Sequence, residues 1–132
     1  MSFHSVTLHT KPIGKPRMTR RDKWAKRPCV VRYREWADEL RAEVTRQIGQ
    51  LPEPEDIVDV SWTAEFEPPP SWSKKKRAAH IGELHRQKPD RDNIDKAVLD
   101  TLWEEDSGIA AGTLRKVWST ESRITITITT KD

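Results

Sequence analysis

Apolar and polar residues alternate in four stretches of the chain, and this period of two predicts β-strands. The longest stretch, Ile57–Phe66, places Val58 and every second residue after it on one face. In Arg123–Thr129, isoleucines oppose threonines, which predicts one buried and one polar side of a sheet. Shorter strands are expected at Ser5–His9 and Leu114–Trp118, with a tight turn near 119–122 joining the last two strands.

Apolar residues recur at steps of three and four in two further segments, the spacing of an amphipathic helix. These helices are predicted at Tyr33–Ile48 and Asp92–Trp103. A short basic helix is predicted to run from an N-cap at Ser71 through Ala79. The order β-α-β-α-α-β-β then predicts a small single α+β domain over residues 1–132, with one mixed β-sheet covered by helices.

The composition restricts the class of protein further. With 132 residues, of which 34% are hydrophobic, the chain can form one modest core. Its single cysteine, Cys29, excludes an internal disulfide and a cysteine-based zinc site. No apolar run is long enough for a membrane span, and the first residues lack a signal-peptide pattern. A soluble, cytoplasmic protein without a membrane partner is therefore expected.

Positive charge is concentrated in two runs. Residues 11–31 are predicted to form a basic loop or arm, and Asp22 is the only acid between Lys11 and Arg34. A second run, Lys74–Arg77, follows three prolines. Either run alone is typical of solvated surface, but two runs in a chain that also clusters its acids favour nucleic-acid binding. The residues expected to contact phosphates are Lys15, Arg17, Arg20, Arg21, Lys74, Lys75, Lys76 and Arg77.

Acidic residues gather at the start of the Asp92–Trp103 helix. Asp90 lies two residues before Asp92, and Lys96 and Asp100 follow at steps of four, opposite the apolar stripe. Clustered carboxylates are the hard oxygen ligands that Mg²⁺ requires. The same residues also fit a helix cap followed by ordinary ion pairs, and both interpretations stay open at this point. An EF-hand calcium loop is excluded, because its obligatory positions hold Ile94, Asp95 and Thr101.

The sequence KPDRDNIDKAVLDTL, residues 88–102, resembles the signature of RusA-type Holliday-junction resolvases. These are small endodeoxyribonucleases often carried by phages and prophages. The signature consists of P-D-x-D-N, a lysine and an A-x-x-D-x-L helix, followed by an acidic pair before a strand. Glu105-Asp106 stands at the place of that pair, after a shorter turn than relatives usually have. The matching residues are Pro89, Asp90, Asp92, Asn93, Lys96, Ala97, Asp100 and Leu102.

The resemblance implies a RusA-like homodimer that resolves four-way DNA junctions by paired, symmetric nicks during recombination and repair. It implies that Asp90, Asp92 and Asp106 bind Mg²⁺ or Mn²⁺, with Glu105 as a competing third ligand. Lys96 would stabilise charge on the phosphate, and Asn93 and Asp100 would support the ligands. No organic cofactor is implied.

Two alternative functions remain beside junction resolution. One is a nuclease of the same fold that acts on other branched DNA, such as flaps or forks. The other is a DNA-binding protein without catalysis, whose acids only cap a helix.

Overall fold

The computed structural model describes residues 1–131, in which the predicted elements occur in the predicted order. Short 3₁₀-helices lie at Arg20–Lys23 and Pro54–Asp56. The strands and longer helices are β1 (Ser2–Leu8), α1 (Pro28–Gln47), β2 (Ile57–Phe66), α2 (Lys74–His80), α3 (Arg91–Leu102), β3 (Leu114–Trp118) and β4 (Arg123–Thr130). Within the described residues, no helix combines the length and the apolar character that crossing a membrane requires.

The four strands form one mixed sheet in the order β1-β4-β2-β3. Strand β4 is antiparallel to β1 and to β2, whereas β3 is parallel to β2. The turn predicted near 119–122 therefore crosses the end of β2, where Ser119 N–H donates to the Phe66 carbonyl at 2.9 Å. This mixed sheet with its helices confirms the α+β fold class.

Helix α3 is anchored through the apolar stripe that its sequence predicted. Ile94, Ala97 and Val98 are fully buried in the core. Burial of each of the two larger side chains contributes roughly 2 kcal/mol. Since one side of the helix is fixed in this way, the opposite side faces solvent, and there Asp92, Lys96 and Asp100 are exposed.

Two polar contacts fix α3 along its length. Trp62 Nε1 on β2 donates to Asp95 Oδ1 at 2.9 Å. Near the end of the helix, Arg41 Nε on α1 donates to the Thr101 carbonyl at 3.1 Å. The carbonyl groups in the last turn of a helix lack partners within the helix, so the guanidinium supplies one.

Two predicted helix starts are wrong. Helix α1 begins at Pro28, not at Tyr33, so the end of the 11–31 basic segment is helical. Proline is favoured in the first helical turn, because the N–H group that it lacks would have no partner there. Helix α2 is capped by Ser73 rather than Ser71, since Ser73 Oγ accepts the N–H of Lys76 at 3.1 Å.

The predicted placement of Val58 on the same face as the later alternating residues of β2 is also wrong. A register irregularity between Ile57 and Asp59 interrupts the pairing of β2 with β4. Ile57 is buried and Val58 is 40% exposed. A β-bulge of this kind shifts the alternation of faces by one residue, so strict alternation fails at this end of the strand.

Candidate active site

The start of α3 presents two carboxylates to solvent. Asp90 occupies the N-cap position, but its side chain makes no capping hydrogen bond. The Asp90 side chain is 54% exposed, and its closest cationic partner is Lys88 Nζ at 4.0 Å. Asp92, in the first helical turn, is also exposed. A capping hydrogen bond therefore does not explain why an aspartate occupies this position.

Lys116 on β3 supports the loop that carries Asp90, a role that the sequence did not reveal. Its Nζ donates to the Gln87 carbonyl at 2.5 Å and to the Pro89 carbonyl at 2.6 Å. Desolvation lowers the pKa of Lys116, while the Asp90 carboxylate opposes that shift. The half-buried ammonium thus fixes the backbone directly before Asp90 and adds positive charge beside it.

Lys15 reaches α3 from the basic segment. Its Nζ lies 2.6 Å from Asp100 Oδ2, which raises the pKa of Lys15, and its N–H donates to the Asn93 carbonyl at 2.9 Å. The sequence predicted Lys15 as a phosphate contact and Asp100 as support for the metal ligands. The structure brings the two residues together as an ion pair.

The acidic pair after α3 is split between two environments. The Glu105 carboxylate is exposed and accepts the N–H of Ser107 at 3.0 Å. The Ser107 side chain first, and this backbone N–H second, lower the pKa of Glu105. Asp106 is half-buried, and its pKa is raised first by desolvation and then by the Asp100 carboxylate. Of the two acids, Asp106 is therefore the one directed towards the charged side of α3.

The side chains of two predicted residues, Lys96 and Asn93, have no hydrogen-bonding or ionic partner within the described part of the chain. Within residues 1–131, the Lys96 ammonium forms no ion pair, so neither predicted pairing, with Asp92 or with Asp100, is observed. Lys96 is exposed, and Asn93 contributes its backbone carbonyl to Lys15. The lysine is thus an unpaired cation on the same side of α3 as the exposed acids.

The donor atoms suit a hard divalent cation, although they do not form a closed cage. Among residues 1–131, no three His, Cys, Asp or Glu side chains are grouped closely enough to hold a metal ion. Mg²⁺ keeps several waters and is commonly bound by one or two carboxylates together with substrate phosphates. The exposed carboxylates of Asp90 and Asp92 have the chemistry for this mode of Mg²⁺ or Mn²⁺ binding, while residues 1–131 show no close grouping of them with Asp106.

The basic segment is organised around a buried acid. Asp22 is 3% exposed and accepts hydrogen bonds from Arg27 Nε at 2.9 Å and from Thr19 N–H at 2.6 Å. The Arg27 bond, then the Thr19 backbone bond, holds the pKa of Asp22 well below its usual range. Arg27 is thus paired with Asp22, and the cations of the basic segment that remain exposed are Lys11, Arg17, Arg20, Arg21, Lys23 and Lys26.

The second basic run is divided in its contacts. Lys74 and Lys75 are exposed, and the Lys76 ammonium lies 4.3 Å from the centre of the Trp72 ring. Arg77 Nη1 donates to the Pro68 carbonyl at 3.3 Å and to the Pro69 carbonyl at 3.0 Å. Arg77 therefore supports the proline turn, while the three lysines face solvent.

His85, in the loop between α2 and α3, is buried. It is 6% exposed and its ring stacks on Phe66 with centroids 4.0 Å apart. Burial first, and Lys116 second, lower the pKa of His85 to about 4. No sequence signal marked this residue, because its partners lie on β2 and β3.

Comparison with known proteins gives one match that covers almost the whole chain. A family model described as endodeoxyribonuclease RusA matches residues 9–129, a range that contains every residue of the site above. No curated protein matches the chain.

Proposed function

The chain belongs to the RusA endodeoxyribonuclease family, and on this basis we propose that it is a Mg²⁺-dependent nuclease that resolves four-way DNA junctions by paired, symmetric nicks. Two opposed nicks require two active sites, so we propose that the active form is a homodimer. Mn²⁺ is an alternative cation for the same oxygen ligands.

One observation carries the catalytic part of this proposal. The Asp90 carboxylate stands at a helix start without a capping bond, exposed and bordered by the ammonium groups of Lys88 and Lys116. A protein that only bound DNA would gain nothing from acids near phosphates, because they repel the backbone. Free carboxylates beside cations instead suit a metal-bound phosphate.

Asp90, Asp92 and Asp106 would hold the cation, with Glu105 as the competing third ligand. When bound, a divalent cation supplies polarisation of the scissile phosphate and a lowered pKa for an attacking water. Asp106 is favoured over Glu105, since Ser107 already engages the Glu105 carboxylate. The Lys96 ammonium, which forms no ion pair within residues 1–131, would stabilise negative charge on the phosphoryl oxygens.

The basic surface would hold the DNA arms. Arg17, Arg20 and Arg21 are exposed on one segment, and Lys74–Lys76 on another. A junction is distinguished from duplex by shape, so backbone contacts suffice and no base-reading helix is needed.

Cleavage of a synthetic four-way junction, compared with a linear duplex of the same sequence, tests the proposal. We expect symmetric nicks in the junction with Mg²⁺, no cleavage in EDTA, and at least about a hundredfold slower cutting of the duplex. Equal cutting of junction and duplex would contradict the proposed substrate. Cutting of flaps or forks in preference to the junction would assign the enzyme to other branched DNA. Undiminished cleavage in EDTA would contradict the metal dependence.

Arg17→Ala is expected to weaken junction binding several-fold and to reduce the slope of log affinity against log salt by about one, because one phosphate contact is lost. Fluorescence anisotropy at several salt concentrations in Ca²⁺ measures both quantities without cleavage. The control is Arg46→Ala on α1, whose guanidinium is paired with Glu43 at 2.5 Å. An unchanged salt slope for Arg17→Ala would mean that Arg17 contacts no phosphate and belongs to the ordinary solvated surface.

A further inference from the structure

Trp24, in the basic segment, exposes more of its side chain than any other tryptophan of the chain. It is 73% exposed, and within residues 1–131 its indole ring stacks on no other ring and forms no hydrogen bond. Large aromatic side chains contribute most when they are covered by a partner. The remaining tryptophans are buried or half-buried: Trp36, Trp62, Trp72, Trp103 and Trp118. The function described above leaves the exposed indole unexplained.

Trp24 belongs to a loop, residues 17–27, whose two ends are joined. Arg27 Nη2 donates to the Arg17 carbonyl at 2.7 Å and also lies 2.8 Å from Oδ2 of the buried Asp22. From α1, Arg34 Nη2 donates to the Asp22 carbonyl at 2.8 Å. The backbone that carries the indole is therefore held in the free protein. Binding through Trp24 then requires little further ordering of the loop.

The side chains around Trp24 are positively charged. The only acid of the 17–27 loop, Asp22, is buried and paired with Arg27. An aromatic ring among exposed cations suits a DNA base with its adjoining phosphates. A second copy of this chain would bring the same charges to the contact and be repelled. The exposed cations of the loop, none of which forms an ion pair within residues 1–131, are Arg17, Arg20, Arg21, Lys23 and Lys26.

The 17–27 loop is attached to α3 close to the candidate active site. Just before the loop, the Lys15 N–H donates to the Asn93 carbonyl at 2.9 Å. A Cβ at Gly14 would lie 3.0 Å from Asn93 Cβ, so glycine permits this close approach. Trp24 follows Lys15 by nine residues, so the two Cα atoms are at most about 30 Å apart. This distance is shorter than one turn of duplex DNA, about 34 Å.

We propose that Trp24 stacks on a nucleobase whose face is uncovered at the branch point of the DNA, while the cations of the 17–27 loop hold the adjoining phosphates. This inference rests on the proposed function, because it names the feature of branched DNA that the loop recognises. In a continuous duplex, neighbouring base pairs cover both faces of each base, so only the cations can bind there. The indole therefore adds a preference for branched DNA that positive charge alone does not provide.

Trp24→Ala should bind a four-way junction about tenfold more weakly than the wild-type protein does, because the loss of one base–aromatic stack has an effect of this size. The affinity for a continuous duplex and the salt slope should stay unchanged, since no charge is lost. Fluorescence anisotropy in EDTA measures these quantities without cleavage. Trp24→Phe keeps an aromatic ring and should retain most of the junction affinity. The matched control is Phe3→Ala on β1, at a ring that is 70% exposed outside the basic segment; it should bind both DNAs as the wild-type protein does.

A second measurement locates the stacked base. A junction with 5-iodouracil at the branch point should cross-link to Trp24 on irradiation, because this base couples to an aromatic ring that stacks on it. Mass spectrometry of the cross-linked peptide identifies the residue. The same base in the middle of a duplex arm should give no cross-link to Trp24. Cross-links from the branch point to other residues only would overturn the stacking.

The outcomes separate this inference from the proposed function. If the wild-type protein cleaves the junction and Trp24→Ala keeps the wild-type ratio of junction to duplex affinity, the inference is overturned while the proposed function stands. If the wild-type protein neither binds nor cleaves the junction, the proposed function fails, and the inference fails with it. A changed sedimentation coefficient of Trp24→Ala without DNA, together with an unchanged affinity ratio, would assign Trp24 to a contact between copies and also overturn the inference.

Discussion

Asp106→Asn is expected to slow junction cleavage by at least about a thousandfold, whereas Glu105→Gln should remain within a few-fold of the wild-type rate. The loss of one carboxylate ligand removes several kcal/mol of charge stabilisation, and each 1.36 kcal/mol is a factor of ten in rate. The difference between the two acids follows from their surroundings. Asp106 is partly desolvated beside Asp100, while Glu105 is exposed and bonded to Ser107. Single-turnover cleavage of a labelled junction measures both rates.

Asp92→Asn is the companion variant for this experiment. Asp92 is a proposed ligand on the other side of the metal site. The rate of junction cleavage by Asp92→Asn should therefore fall as far as that of Asp106→Asn. All three variants should still bind the junction in Ca²⁺, because the basic surface is unaltered. If Glu105→Gln lost most of its cleavage rate while Asp106→Asn stayed active, Glu105 would be the third ligand instead of Asp106. Wild-type rates for both would exclude this turn from the metal site.

The local elements could be predicted because each depends on a short-range pattern. The bounds of Ile57–Phe66 and Leu114–Trp118 match the observed strands, and the stripe of Ile94, Ala97 and Val98 on α3 is buried as its spacing requires. These patterns follow from periods of 2 and 3.6 residues, which the sequence displays directly. The signature at 88–102 likewise lies within one loop and one helix, so the family was recognisable from it.

Contacts between distant segments could not be predicted in this way. The carbonyls that bind Lys116 precede Asp90, more than 20 residues earlier in the chain. Lys15 and Asp100 are separated by 85 positions, and only the fold brings them to 2.6 Å. In the sequence, Lys15 and Lys116 cannot be distinguished from the other cations, because the partner of a charged side chain is determined by the tertiary structure. The contacts of Lys116 and Lys15, which affect the site most, were therefore the ones that the sequence could not indicate.

A buried histidine should make the stability of the protein depend on pH. The pKa of His85 is lowered from its ordinary value of 6.5 to about 4, mainly by desolvation. Between these values the unfolded chain binds a proton that the folded protein excludes, so the free energy of unfolding rises with pH. The full contribution is present above about pH 6.5 and is lost as the pH falls towards 4. A shift of this size corresponds to at most about 3 kcal/mol, and since His85 lines an open cleft we expect about 2 kcal/mol.

His85→Phe isolates this contribution, because phenylalanine keeps an aromatic ring against Phe66 and cannot be protonated. Among residues 1–131, His85 Nδ1 is buried without a hydrogen-bond partner, so its removal should cost nothing at pH 7. Urea denaturation at pH 7 and at pH 4.5 measures the free energy of unfolding of both proteins. Relative to the wild-type protein, the free energy of unfolding of His85→Phe should be about 2 kcal/mol higher at pH 4.5 than at pH 7. All other groups titrate in both proteins and cancel in that difference. An equal pH dependence in His85→Phe would mean that acid destabilises the fold through other groups, such as the carboxylate of Asp22.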